Sequence, residues 1–358
     1  MNLRLITAAL SAALLCGWIA PAAGAGFQDP LAVAAQASAL ASRGLLLAVA
    51  HAGSRLVAVG QRGHIILSDD AGGSWKQANV PVSSDLTAVY FVTERVGWAV
   101  GHDGVVLQTR DGGLSWTLQL DGRKANKLLV EQLQKRASLE PQSSEVQALL
   151  AEAGRYQEQG ADKPFLDVWF ADESTGYVVG AYNLIFRTSD GGKTWEPWFD
   201  RTDNPKFFNL YAIKQAGADL YVVGEGGLVL KLDPQLQRFQ ARTTPYKGSF
   251  FGVLGNKSVV LAFGLRGNLY SSSDAGKTWN KEVAGLPATI VAGAALSDGR
   301  LLLADAGGRV AVSDGAAGGF KLMPLKQTMP LAGIADAGNG RLALVGPRGV
   351  AVTETAAR

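Results

Sequence analysis

Thiols, imidazoles and long apolar stretches are scarce in this chain. Its 358 residues include one cysteine and three histidines, and charged residues make up only 18%. A lone Cys16 excludes a disulfide framework and a thiolate metal cage. His51, His64 and His102 lack the spacing of zinc ligands and read as ordinary polar or partly buried side chains. The net charge of +3 is too small at this length for the concentrated basic face that nucleic acid requires, so no nucleic-acid partner is expected. No glycine-rich stretch leads from a strand into a helix, which removes the phosphate-cradling motifs. No cofactor, metal or small-molecule substrate is expected.

One apolar run does occur, from Leu5 to Ala20 behind Arg4, and Pro21 breaks it. It is short for a spanning helix, which needs about 20 apolar residues, and Ala23-Gly24-Ala25 supplies the small residues of a cleavage site. Residues 1–25 therefore read as a secretion signal cleaved after Ala25. Leu15 stands before Cys16 where a lipoprotein signal would carry a small residue, so simple export is the stronger reading. The expected location is the bacterial periplasm, with the product soluble and monomeric by itself. Loss of Cys16 with the signal leaves no thiol, which suits an oxidising compartment.

What is abundant is glycine, 44 residues in a chain that is 47% hydrophobic, a balance suited to many short strands and tight turns. Four segments carry Ser/Thr-x-Asp-x-Gly-x-Ser/Thr-Trp, namely 68–75, 109–116, 188–195 and 272–279. An apolar strand ends in glycine 15 residues before each tryptophan, at Gly60, Gly101, Gly180 and Gly264. The same ruler leads from Gly224 to Phe239 and from Asp305 to Phe320, and Gly346 is the seventh anchor. Successive anchors are 41, 79, 44, 40, 41 and 41 residues apart. A unit of about 40–45 residues with alternating apolar positions matches a four-stranded propeller blade. Residues 26–358 are thus read as an all-β, seven-bladed β-propeller, since one such sheet buries both faces only by stacking on its neighbours.

The 79-residue gap holds one unit plus an insertion over 123–161, where Leu128, Leu129, Leu133 and Ala137, then Val146, Leu149, Leu150 and Ala153, recur at helical spacing. An α-helical hairpin between blades two and three is expected, divided at Pro141, with Ser144 and Gln147 as the capping box of its second helix. Its apolar positions are equally suited to pack on the propeller or to receive a partner helix. The seventh unit's outer aromatic would fall at 361, beyond Arg358. The segment 29–41 is therefore expected to supply an N-terminal strand that closes the last blade.

In the four complete motifs Asp70, Asp111, Asp190 and Asp274 are read as structural, bonding their own turns, while Trp75, Trp116, Trp195 and Trp279 open the outer strands and pack between blades. These motifs, the Val-Gly or Phe-Gly strand ends, and Tyr246-Lys247-Gly248-Ser249-Phe250-Phe251-Gly252 are similar to those of Asp-box (BNR) repeat propellers. Within these the chain resembles the photosystem II stability and assembly factor family, in its bacterial, non-photosynthetic branch. The resemblance covers the chain apart from the signal and the helical insertion. It implies a periplasmic, non-enzymatic scaffold that binds a membrane-protein partner during assembly or as an accessory subunit. Relatives in that branch are similar to proteins found beside resistance-nodulation-division type transporters, which makes such a transporter the candidate partner.

The alternative is a sialidase-like glycosidase or a lectin on the same scaffold. That chemistry needs paired carboxylates or a tyrosine nucleophile with an arginine cluster. No Arg-Ile-Pro or Arg-Leu-Pro stands near the start of the propeller, and Asp103, Asp167 and Glu225 are the carboxylates that could face the axis. For partner binding, the turns between second and third strands place Arg62, Arg266 and Arg348 on one face, with Arg309 just past the equivalent turn. The inter-blade links add Arg201, Lys206, Phe207, Tyr246 and Lys247 to that face. Arginine forks and aromatic area gathered there suit an acidic or amphipathic polypeptide.

Overall fold

A computed structural model describes residues 28–354 apart from 297, 316–318, 327 and 339. The secretion signal read over 1–25, Cys16 included, lies outside the described residues. The apolar runs form seven antiparallel sheets in simple up-and-down order, six with four strands and the last with three. Their first strands are Leu46–Ala52, Leu86–Phe91, Phe165–Phe170, Leu210–Ala216, Phe250–Gly255, Ile290–Ala295 and Gly333–Gly338. Each lies beside the first strand of the next blade, and the seventh lies beside the first, so the ring is closed. The protein is a seven-bladed β-propeller.

Second strands such as Gly97–Gly101 and Gly176–Gly180 are buried at every position, because neighbouring blades cover both faces. That double burial explains why they read as continuous apolar runs rather than as alternating ones. Their terminal glycines answer a close approach. A Cβ on Gly60 would sit 2.1 Å from the Leu45 carbonyl oxygen, and one on Gly101 would sit 2.1 Å from that of Asp85. Blade six differs, placing the fully buried Asp305 there, whose carboxylate accepts the Arg309 N–H at 2.9 Å.

The segment 29–41 does not form the strand expected for blade seven. Ser42 and Arg43 do take the place of an inter-blade link, since a Cβ on Gly349 would meet the Ser42 oxygen at 2.1 Å, as one on Gly63 would meet that of Val82 at 2.2 Å. The 3-10 turn Ala41–Arg43 then carries the preceding chain to blade one. There Ala35 N donates to Val80 O at 3.0 Å, and Ser38 N donates to Gln77 Oε1 at 2.9 Å. The physical reason lies in composition: 29–41 has no aromatic to anchor an outer strand, whereas Val80 O and Gln77 Oε1 of blade one accept its N–H groups. Ring closure rests instead on Leu46, Ala58, Ile66 and Trp75 of blade one packed against Val345 and Val350 of blade seven.

The insertion folds as α1 (Gly122–Leu139) and α2 (Ser144–Gln159). Asp121 caps α1 through the Lys124 N–H at 3.0 Å. Ser143, not Ser144, caps α2 by accepting from Val146 N at 3.3 Å, while the Gln147 amide reaches back to the Pro141 carbonyl. The cap lies one residue early because Ser143 keeps extended backbone and leaves Ser144 as the first helical residue. Leu129, Leu133, Ala153 and Tyr156 are buried in one cluster with Phe165, Phe186 and Phe199 of blade three and its link. The apolar stripe of the hairpin is therefore spent on the propeller.

Candidate functional site

Every complete motif folds into the same hydrogen-bonded turn between third and fourth strands. In blade one, Asp70 Oδ1 accepts from Ser68 Oγ at 2.7 Å and Ser74 N at 2.8 Å, and Oδ2 accepts from Ser74 Oγ at 2.7 Å. Asp111, Asp190 and Asp274 repeat the pattern with Ser115, Thr194 and Thr278. The backbone and hydroxyl of Ser74, then Ser68, hold the Asp70 carboxyl well below the usual range, and Thr278 with Ser272 does the same at Asp274. At Asp111 and Asp190 partial burial pushes the other way, and their hydrogen bonds outweigh it. All the oxygens face the turn, so these carboxylates are saturated by architecture. The tryptophans cover the preceding blade: Trp116 packs with Val57 and Leu67, and Trp279 packs with Tyr221.

These depressed acids give a pH dependence of defined sign. A carboxylate whose folded pKa is lowered contributes stability that is complete above the ordinary carboxyl range and is lost as the pH falls below about 4. Burial of His64 lowers its pKa and adds a separate loss of stability that starts as the pH falls through the ordinary histidine range. The contribution of these carboxylates to the urea midpoint is expected to be flat from neutrality to about pH 5 and to decline below about pH 4. Pairing Asp70→Asn with Asp274→Asn should flatten that decline. An unchanged acid slope in the folded double variant would show that the turns do not carry it.

The opposite face is formed by the inter-blade links and the second-to-third-strand turns. Arg62, Tyr182 and Arg266 sit at left-handed positions, φ 54, 52 and 57°. Each donates its backbone N–H to a residue just before the next blade's first strand: Asp85 Oδ1, Asn209 Oδ1 and Thr289 Oγ1. Those bonds fix the turns and leave the side chains outside. Arg62, Arg266, Arg309 and Arg348 are all exposed, and among the described residues none of the four forms an ion pair. They belong to blades one, five, six and seven, which are contiguous around the ring.

The link residues are placed differently. Arg201 pairs with Glu196 at 3.0 Å and lies over the Trp198 ring. Phe207 is stacked on Phe199, ring centroids 5.3 Å apart, and Tyr246 packs on Phe250 and Tyr270 with its hydroxyl donating to Leu265 O. Lys206 and Lys247 are exposed. Of the residues considered, the four arginines and these two lysines are the exposed basic groups, with Lys206 lying over the Phe208 ring at 5.6 Å, and Phe207 and Tyr246 serve packing.

Of the carboxylates considered for glycosidase chemistry, Asp103 accepts from Ser84 Oγ and Glu225 from Asn209 N, on blades two and four. Asp167 lies in the central channel, where Lys214 Nζ reaches both of its oxygens at 2.8 Å and the N–H groups of Val168 and Ile213 complete it. Lys214 carried no mark in the sequence beyond being a cation inside an apolar first strand. Among the described residues, no group of three or more His, Cys, Asp or Glu side chains is placed to hold a metal ion, and no helix is long and apolar enough to cross a membrane.

Comparison with known proteins places this geometry. The chain is 30% identical over 122 residues to the photosystem II assembly lipoprotein Ycf48 of Synechococcus sp. (strain CC9902), 33% of this chain and 36% of that one. To the protein of the same name from Synechococcus sp. (strain RCC307) it is 50% identical over 40 residues, 11% and 12% of the two chains. The matched stretches thus span about a third or less of these curated relatives. In fold the chain is similar to YCF48 bound to D1 peptide, with TM-score 0.61, 15% identity, and coverage of 92% of this chain and 98% of that one. It is likewise similar to YCF48 from Cyanidioschyzon merolae, at TM-score 0.58, 16% identity, and 88% and 96% coverage. The family described as photosynthesis system II assembly factor YCF48 matches residues 34–134 and 150–320, on either side of the interior of the helical hairpin, and this chain belongs to that family.

Proposed function

We propose that the protein is an exported, periplasmic, non-enzymatic scaffold that binds a membrane protein through the link face, as an assembly factor or accessory subunit. The observation that carries this reading is the arc of Arg62, Arg266, Arg309 and Arg348, exposed on contiguous blades and without ion pairs among the described residues. Four exposed guanidinium groups on one face are open to a carboxylate-rich segment, which would meet them in bidentate fashion. Family membership supports the same reading, as does the solved relative that holds a D1 peptide. A resistance-nodulation-division type transporter is the partner we favour.

The test uses tagged protein recovered from solubilised envelopes, with mass spectrometry of what accompanies it. Wild type is expected to retain one stoichiometric membrane protein, and the triple variant Arg62→Glu, Arg266→Glu, Arg348→Glu is expected to lose at least nine-tenths of it while melting normally. Equal capture by the folded triple variant would remove the arc from the interface. Turnover or capture of glycan in place of a membrane protein would favour the hydrolase or lectin.

A further inference from the structure

The first strands of the blades share an irregularity. Pairing with the second strand slips between Leu46 and Ala48, Leu86 and Ala88, Leu210 and Ala212, Phe250 and Gly252, and Ile290 and Ala292, and blade three slips likewise at Leu166. Each slip leaves one unpaired residue: Leu47, Thr87, Leu166, Tyr211, Phe251 or Val291. A bulge of this kind re-aims a side chain. Here all six line the central channel, with Ala332 in the corresponding place of blade seven. The residue before each is buried while the bulged residue is half-buried, so the ring borders open space at the link end of the channel.

Most side chains around this mouth are apolar, and the Asp167–Lys214 pair lines the same cavity. The Thr87 hydroxyl is engaged with Val100 O and Phe165 O. Tyr211 and Phe251 meet edge to face at 4.9 Å and fill the side of blades four and five. Blades six, seven and one contribute smaller groups to the same lining, among them Val291, Ala332 and Ala48 beside Gly293 and Gly333. The cavity measures about 200 Å³, below the roughly 300–1,000 Å³ of sites that enclose a drug-sized ligand, which fits it to a single side chain. Three arginines of the arc, Arg62, Arg309 and Arg348, belong to those same blades.

We propose that the channel mouth is a socket for one bulky apolar side chain, of leucine to phenylalanine size, from the polypeptide that docks on the link face. The inference rests on the reading that a polypeptide docks there, and it adds what that polypeptide must carry: an apolar residue flanked by acidic ones. Burying such a side chain is worth a factor of ten or more in affinity over alanine.

Two probes separate this inference from the arginine reading. The first is a set of acetylated, amidated pentapeptides with two glutamates on each side of a central leucine, phenylalanine, alanine or serine, titrated by fluorescence anisotropy. Wild type is expected to bind the leucine or phenylalanine peptide at least tenfold tighter than the alanine peptide, and Ala332→Trp, which fills the socket, should compress that ratio to about twofold. Val291→Phe serves in its place should Ala332→Trp melt early. The Arg62→Glu, Arg266→Glu, Arg348→Glu variant should weaken all four peptides alike and keep the ratio. The second probe, benzyl alcohol, carries no charge and should shift the methyl resonances of Val291 and Ala332 in wild type but not that of Val291 in Ala332→Trp. Benzyl alcohol binding without peptide binding would leave the socket standing and the arginine arc refuted. Absence of both, or a peptide ratio indifferent to the centre or to the filled socket, would overturn the proposal.

Discussion

Trp98→Ala is expected to lower the unfolding free energy by about 3–5 kcal/mol, the usual cost of deleting a large buried aromatic. Trp98 is fully buried in the second strand of blade two, its ring stacked on Phe170 of blade three at a 6° interplanar angle. Its indole N–H donates to Gln119 Oε1 at 3.2 Å, tying the ring to the outer strand of its own blade. Truncation therefore opens a void at a blade interface and leaves a polar group of Gln119 unpaired. Urea unfolding reads the effect, with Trp98→Phe as a milder companion. A loss under about 1 kcal/mol would mean that this interface relaxes to fill the space, against the close packing observed.

Leu129→Ala is expected to cost about 2–5 kcal/mol although the residue belongs to an inserted helix. Leu129 is fully buried in the cluster that joins α1 and α2 to blades two and three. Polar ties reinforce the seam: Arg136 pairs with Asp200 at 2.6 Å, and the Tyr156 hydroxyl donates to Tyr182 O at 3.1 Å. Leu139→Ala, at a position 76% exposed, is the control and should stay within about 0.5 kcal/mol. Excision of 123–161 with a short linker should accordingly lower the melting temperature sharply. A deleted protein that melts like the parent would show the hairpin to be a dispensable appendage whose apolar face is free for a partner.

Much of the architecture was legible before any coordinates because it repeats. Seven anchors at near-constant spacing, the four Asp boxes and the outer aromatics Phe239 and Phe320 all report blades. So does the burial of both faces of each second strand, which writes itself as an apolar run. Sequence alone puts α2's cap one residue late, since Ser143 and Ser144 are both able to cap and only the backbone conformation separates them. Counting repeats calls for a strand from 29–41, and counting is blind to composition. Without an aromatic the segment had no outer-strand anchor, and the chain turned to blade one.

The face carrying Arg62, Arg266, Arg309 and Arg348 followed from strand parity, which alternates turns between two ends of the ring. Parity is silent on what each side chain touches. Arg201, Phe207 and Tyr246 belong to the same face, and only the structure shows them spent on Glu196, Phe199 and Tyr270. The bulges were equally hidden, since a slip in pairing changes no residue type.

What the sequence determined by itself was the repeat: the kind of unit, its number and the turn each aspartate closes, all set by contacts within about 40 residues along the chain. Tertiary structure alone decided where the N-terminal segment lies, that the hairpin packs inward, and that seven separated residues meet around one channel mouth. Local spacing encodes a blade because its strands pair with their sequence neighbours. It cannot encode competition between distant surfaces for the same apolar area, and that competition settled the rest.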